Sequence, residues 1–217
     1  MVKNYLKKAT AGIALLAMSS FASADGHSEI SYSANLGFMS DYIYRGVHQS
    51  SSSAMGGFDI EYGSFYLGTW FADLQEDGWV AGSHRGFEYD VYAGFGFDIT
   101  DSVSGYVGYT IYRYTDKGAA AFDDDYDEVN VGVSFALTDD ISLSLDYSNG
   151  ENTATDQSET DYDILTTTIE YMGAYFTYGD WGVSEDDTGE TDAEYIEIGY
   201  SRTVGDFDLG GAFVLSE

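Results

Sequence analysis

Residues 87–98 read Phe-Glu-Tyr-Asp-Val-Tyr-Ala-Gly-Phe-Gly-Phe-Asp. Phe87, Tyr89, Val91, Ala93, Phe95 and Phe97 alternate with Glu88, Asp90, Tyr92, Gly94, Gly96 and Asp98. A period of two held this long makes a β-strand with one apolar face and one polar face. Working outward, the pattern recurs on both sides. Thr100-Asp101-Ser102 turns the chain into Val103, Val107, Tyr109 and Ile111. Upstream, Ala54, Phe58, Ile60 and Tyr62 oppose Asp59 and Glu61, and Gly63-Ser64 leads into Phe65, Leu67, Thr69 and Phe71. Earlier still, Ile30, Tyr32, Ala34, Leu36, Phe38, Tyr42 and Tyr44 oppose Ser31, Ser33, Asn35, Gly37, Asp41 and Arg45.

Downstream, Val129, Val131, Val133, Phe135 and Leu137 alternate with Asn130, Gly132, Ser134 and Ala136. Thr138-Asp139-Asp140 turns into Ile141, Leu143, Leu145 and Tyr147. Leu165, Ile169 and Tyr171 precede Met172-Gly173 and then Ala174, Phe176 and Tyr178. Ile196, Ile198 and Tyr200 precede Val204-Gly205-Asp206 and then Phe207, Leu209, Phe213 and Leu215. The reading gives eleven strands. Five tight turns, at Gly63, Asp101, Asp139, Gly173 and Gly205, alternate with five long polar connections at 46–53, 75–85, 115–125, 148–160 and 182–192. Propeller blades need four strands per repeat where this chain repeats two, and a soluble sandwich has no reason to sort its connections by length. An outer-membrane barrel does, with short periplasmic turns, longer outer loops and strands of about ten residues. The expected fold is therefore all-β: a transmembrane antiparallel up-and-down barrel.

Composition agrees. The chain holds 20 tyrosines, 13 phenylalanines and 26 glycines but no proline and no cysteine. Abundant aromatics favour strands, and disulfide frameworks and cysteine-based metal sites or nucleophiles are excluded. Lys3, Lys7 and Lys8, an apolar run from Ala9 to Ala17, and Ala22-Ser23-Ala24 predict a signal peptide over 1–24, with the barrel over 25–217. No later segment reaches the roughly 18 apolar residues of a membrane helix. Removing the three signal lysines leaves five basic residues against 38 acidic ones, a difference of −33. Such a chain does not bind nucleic acid through phosphate neutralisation.

If the apolar faces meet lipid, the polar faces line a lumen. The expected lining is Asp41, Arg45, Asp59, Glu61, Glu88, Asp90, Glu128, Asp146 and Glu197, with Asp98, Glu170 and Asp208 on the same faces. Carboxylate rings favour cations, which predicts a porin-like passage for small solutes, preferring cations. The alternative is a non-conducting structural or adhesion barrel whose lumen is filled by side chains. Arg45 is the one inward cation, expected to tie Asp41, Glu88 and Asp90 together; Arg85 and Lys117 fall in long loops, and Arg113 and Arg202 continue outward faces. Tyr42, Tyr44, Tyr62, Phe65, Phe87, Tyr171 and Tyr178 are expected to form interfacial girdles in contact with lipid and lipopolysaccharide. The acidic runs at 122–128 and 185–187 lack calcium-loop spacing and read as solvated faces. No cofactor or metal is expected, and no enzyme. There is no Gly-x-Ser-x-Gly elbow and no His-Glu-x-x-His, and His48 with Asp41 is the only acid–histidine pairing to name.

The stretch Ser33–Gln49, with Ser40-Asp41-Tyr42-Ile43-Tyr44-Arg45-Gly46 at its centre, resembles the start of the TorF family of bacterial outer-membrane porins. Gly56-Gly57-Phe58-Asp59-Ile60-Glu61-Tyr62, Phe65-Tyr66-Leu67-Gly68-Thr69-Trp70 and the run Tyr89–Phe95 are similar to family segments that follow. The resemblance covers 33–97 in motif and the remainder in architecture. It implies an outer-membrane location and a porin-like role, without a substrate or functional residues to carry over. Bacterial single-chain barrels have even strand numbers, and Leu215-Ser216-Glu217 lacks the terminal aromatic of such barrels. The expectation is twelve strands in the complete protein, with the closing strand beyond residue 217.

Overall fold

The structure is a computed structural model that describes residues 30–75, 85–115, 125–152, 161–182 and 193–216. It contains eleven strands: β1 (Ile30–Tyr44), β2 (Val47–Tyr62), β3 (Phe65–Gln75), β4 (Arg85–Thr100), β5 (Val103–Tyr114), β6 (Tyr126–Ala136), β7 (Ile141–Asn152), β8 (Asp161–Tyr171), β9 (Ala174–Trp181), β10 (Ala193–Val204) and β11 (Phe207–Ser216). Each strand pairs antiparallel with the next, in the order β1 to β11 without a crossover. The sheet curls into a nearly closed up-and-down barrel. β1 and β11 run in the same direction on either side of one unsealed seam.

The barrel is turned inside out relative to a soluble protein. Its exposed face carries Tyr32, Leu36 (86% exposed), Phe58, Leu67, Val91, Val107, Val131, Leu165, Ile198 and Phe207 (73%). Its inner face carries buried Glu88, Asp90, Glu128, Glu197, Ser144, Ser148, Thr168 and Thr177. That is the alternation read in residues 87–98, applied around the sheet. No helix among the described residues is long and apolar enough to cross a membrane.

One end, here the lower, carries the five expected tight turns. They fall at Gly63-Ser64, Asp101-Ser102, Leu137–Asp140, Met172-Gly173 and Gly205-Asp206. Met172 sits at φ 51 and Gly173 at φ 85, the doubly left-handed pair of a type I′ hairpin. A methionine there is strained, because its Cβ crowds the following carbonyl. Met172→Gly is expected to raise stability by about 1 kcal/mol, read as a later denaturation midpoint; an unchanged or earlier midpoint would remove the strain argument.

The upper end differs from expectation. The connection at 46–53 is not a long loop: β1 and β2 are joined by Arg45-Gly46 alone, and residues 47–53 belong to β2. Both turn residues have positive φ, 49 and 83, again a type I′ hairpin. An Arg-Gly pair is not the Asn-Gly or Asp-Gly that announces such a turn. Strands β7 and β4 also extend further than read, so 148–152 and Arg85 are strand residues. The other upper connections, at 76–84, 116–124, 153–160 and 183–192, lie outside the described residues, as does 1–29.

The same hairpin corrects a second expectation. Met39 and Tyr42 are both buried, three residues apart, and so are their partners Ser53 and Ser50. Strict alternation would send one of each pair outward. Ser52 at φ 67 breaks it, and the register slips again between Tyr42 and Ile43, as bulges do. Tyr42 and Tyr44 therefore turn into the barrel instead of joining a girdle. Tyr62, Phe65, Phe87 and Tyr171 are exposed, and Tyr178 is half-buried.

Candidate lumenal site

The inner face is built on a repeated arrangement across three strands. Tyr92 on β4 pairs with Gly68 on β3, which pairs with Asp59 on β2. With no side chain at Gly68, the Tyr92 ring lies over it and its hydroxyl donates to Asp59 at 2.5 Å. Tyr106 crosses Gly132 to reach Asp146 at 2.9 Å. Tyr162 crosses Gly150 to reach Glu128 at 2.8 Å. Tyr175 lies against Gly199 and donates to Glu197 at 2.5 Å. A Cβ at Gly68, Gly132, Gly150 or Gly199 would overlap the ring above it. The hydroxyls give the carboxylates the donors that buried acids require.

The upper half is filled. Met39, Tyr42, Met55 and Ala72 form one core cluster, with Trp70, Tyr44 and Leu74 against it. Tyr112, Tyr114 and Tyr126 form a second, packed on Tyr44, Leu74 and Tyr162. The Tyr112 and Tyr126 rings stack at 4.4 Å.

Arg45 closes this region from the tip of the β1–β2 hairpin. Its guanidinium donates to both Glu128 oxygens, at 2.6 and 3.0 Å, and to the Ser148 hydroxyl at 2.9 Å. The Tyr44 ring lies 4.8 Å beneath it. Trp181 Nε1 donates to the Arg45 carbonyl at 3.1 Å, and Gly46 abuts Tyr195 and Ser216. The bent hairpin thus lies over the upper mouth, its Arg45 side chain reaching β6 and β7 and its backbone resting on β9, β10 and β11. The partner of Arg45 is Glu128, not the expected Asp41, Glu88 and Asp90; the bulges decide this by turning Asp41 to the other face and carrying the tip across the barrel. Glu128 is fully buried and Arg45 is 16% exposed, and the forked geometry is the strong form of such a pair. Asn130 and Tyr112 also donate to Glu128.

Glu88 Oε1 accepts from Tyr42 at 3.2 Å and Tyr114 at 3.3 Å. Glu61 meets Ser31 at 3.4 Å in the more open lower half. Glu170 and Asp208 are exposed, bonded to Ser142 at 3.5 Å and Thr203 at 2.6 Å, and Asp98 is exposed too. Arg113 pairs with Asp127 at 2.8 Å, away from the lumen cluster. Arg45 is the one inward arginine among the described residues whose side chains are placed.

Asp41 stands apart. Its Oδ1 lies 3.7 Å from His48 Nε2, and the Ser51 hydroxyl lies 3.4 Å from that same nitrogen. A serine–histidine–aspartate relay needs the acid on one ring nitrogen and the hydroxyl on the other. Here both converge on Nε2, so no relay is formed. Among the described residues no group of three or more histidine or acidic side chains is placed to hold a metal ion. The acidic runs at 122–124 and 185–187 lie outside the described residues.

The tyrosines on glycine were missed in sequence, although a signal exists. Tyr92 falls in phase with Glu88, Asp90 and Gly94, against the other apolar residues of its strand. The same holds for Tyr106 with Gly108 and Tyr66 with Gly68.

Fold and site define an up-and-down β-barrel with an apolar exterior and a tyrosine-bonded acidic interior. The chain belongs to a bacterial family described as protein of unknown function (Gcw_chp), matched over residues 23–216. No curated protein and no solved structure matches it.

Proposed function

We propose that the chain is an outer-membrane barrel that passes small solutes, preferring cations, through an acidic lumen. The observation that carries this is the inside-out distribution of side chains. A continuous apolar exterior around buried carboxylates suits hydrocarbon outside and polar groups within. Strands can cross such a medium only when their backbone groups are paired laterally. The signal peptide read over 1–24 and the likeness of 33–97 to TorF porins support the same reading. Lipid and lipopolysaccharide are then the outer partners, and the upper end faces the exterior.

Cation preference follows from Asp59, Glu61, Asp146 and Glu197 along the wall and Glu88, Asp90 and Glu128 above, against Arg45 as the one inward arginine among the described residues whose side chains are placed. A second reading, a plugged non-conducting barrel, is favoured by the two core clusters and the Arg45–Glu128 pair in the upper half. Planar-bilayer recording of the full chain under a KCl gradient separates them. A reversal potential on the potassium side is expected; one on the chloride side overturns the selectivity. Silence from both the wild type and Arg45→Ala would leave the plugged barrel.

A further inference from the structure

Glu88, Asp90 and Glu128 are buried carboxylates in the upper half of the lumen, and Arg45 is the one inward arginine among the described residues whose side chains are placed. Glu128 takes both arms of Arg45. Glu88 and Asp90 are alternate residues of β4 and point to the same inner face. Both are buried, at 1% and 6% exposure. The hydroxyls of Tyr42 and Tyr114 converge on Glu88 Oε1. Glu88 Oε2 and Asp90 Oδ1 are shut from solvent and, among the described residues, have no hydrogen-bond partner. Two acceptor atoms without a donor, on alternate residues of one strand, are a costly thing to bury. Arg45 cannot serve them, because its fork is held by Glu128 and Ser148.

We propose that Glu88 and Asp90 form an internal binding site for a small hard cation drawn from the conducted solution, a proposal that rests on reading the barrel as a cation pathway. The groups at hand are carboxylate and hydroxyl oxygens, the ligands of sodium, potassium and calcium and not of soft metals. Two carboxylates are fewer than a closed calcium cage uses, so water completes the shell and the ion can leave again. A conduction site must hold weakly enough to release. The aromatic wall, with Tyr42 on Trp70 at 5.4 Å and Tyr114 on Tyr126 at 6.1 Å, excludes bulk water and strengthens the attraction.

The test is thermal unfolding of the full chain in detergent micelles, in sodium, potassium, calcium or N-methylglucamine chloride at equal ionic strength. At least one small cation is expected to raise the midpoint by about 5 °C over N-methylglucamine. Glu88→Gln/Asp90→Asn should lose that difference, and the charge-matched turn variant Asp139→Asn/Asp140→Asn should keep it. If the double variant does not fold, Asp90→Asn decides, since it leaves the tyrosine bonds of Glu88 in place. Equal midpoints in all four salts, an undiminished difference in Asp90→Asn, or equal loss in the turn variant would overturn the site. Bilayer recordings separate this from the wider reading: a silent barrel that keeps the cation-specific shift retains the site and loses the pathway. A conducting barrel without the shift does the reverse.

Discussion

Replacing Arg45 with alanine is expected to cost about 3–5 kcal/mol of stability, the range for leaving one partner of a buried ion pair alone. It should also raise conductance above that of the wild type. Glu128 would remain fully buried with only Asn130, Tyr112 and Tyr162 as donors, and the hairpin tip would lose its hold on β6 and β7. Three companions make the measurement specific. Arg45→Gly removes the same guanidinium but relieves the left-handed backbone at φ 49, so it should be less destabilising than Arg45→Ala. Arg45→Lys keeps the charge without the two-armed fork and should fall between wild type and alanine. Arg45→Ala/Glu128→Gln should lose less than the sum of its single variants, because the stranded charge is gone. Denaturant unfolding followed by tryptophan fluorescence suits this series, since Trp181 bonds to the Arg45 carbonyl. Wild-type stability in Arg45→Ala would refute the clasp.

Gly150→Ala is expected to destabilise by about 3 kcal/mol, at the upper end for forcing extra volume into a packed site. Elsewhere in a strand the same change is mildly favourable, by about 0.5–1 kcal/mol. The sign reverses here because the added Cβ would occupy the space of the Tyr162 ring. Lifting that ring also breaks its 2.8 Å bond to Glu128. Gly211→Ala is the control: a Cβ there meets nothing within 4 Å, and the variant should match or slightly exceed wild type. Tyr162→Ala should remove most of the sensitivity to Gly150→Ala, since the obstacle is then absent. A harmless Gly150→Ala beside an intact Tyr162 would contradict the stacked arrangement. The same logic extends to Gly132 under Tyr106 and Gly199 under Tyr175.

Much of this fold was legible because its signal is local. Phe87–Asp98 declares its faces without reference to any other strand, and so do β5, β6 and β7. The five lower turns were legible for the same reason, each marked by glycine or aspartate between two apolar runs. The upper hairpin was not. Ser50–Ser53 carry no apolar phase, so the slip at Ser52 leaves no trace in the pattern, and strict alternation puts Tyr42 and Tyr44 on the outer side. That placement propagates to the site: with Tyr42 outward, Asp41 falls beside Arg45 on paper. In the fold, Arg45 instead finds Glu128 83 residues away. Pairings of that kind depend on where a bend aims a side chain, which residue spacing does not encode. The acids on β4, by contrast, were legible from alternation alone.

The bent hairpin also has a consequence for the order of assembly. Neighbouring strands can zip up through short turns, each closing a small loop. The contact between Arg45 and Trp181 joins residues 136 apart in the chain, and Gly46 meets Ser216 at the end of β11. Such contacts carry the largest closure entropy and are rewarded only after the intervening strands are in place. The hairpin tip is therefore expected to seat last. Before it seats, the chain is a curled ribbon; afterwards β1 is tied to β9, β10 and β11 through the hairpin tip, with no strand pairing between β1 and β11 among the described residues.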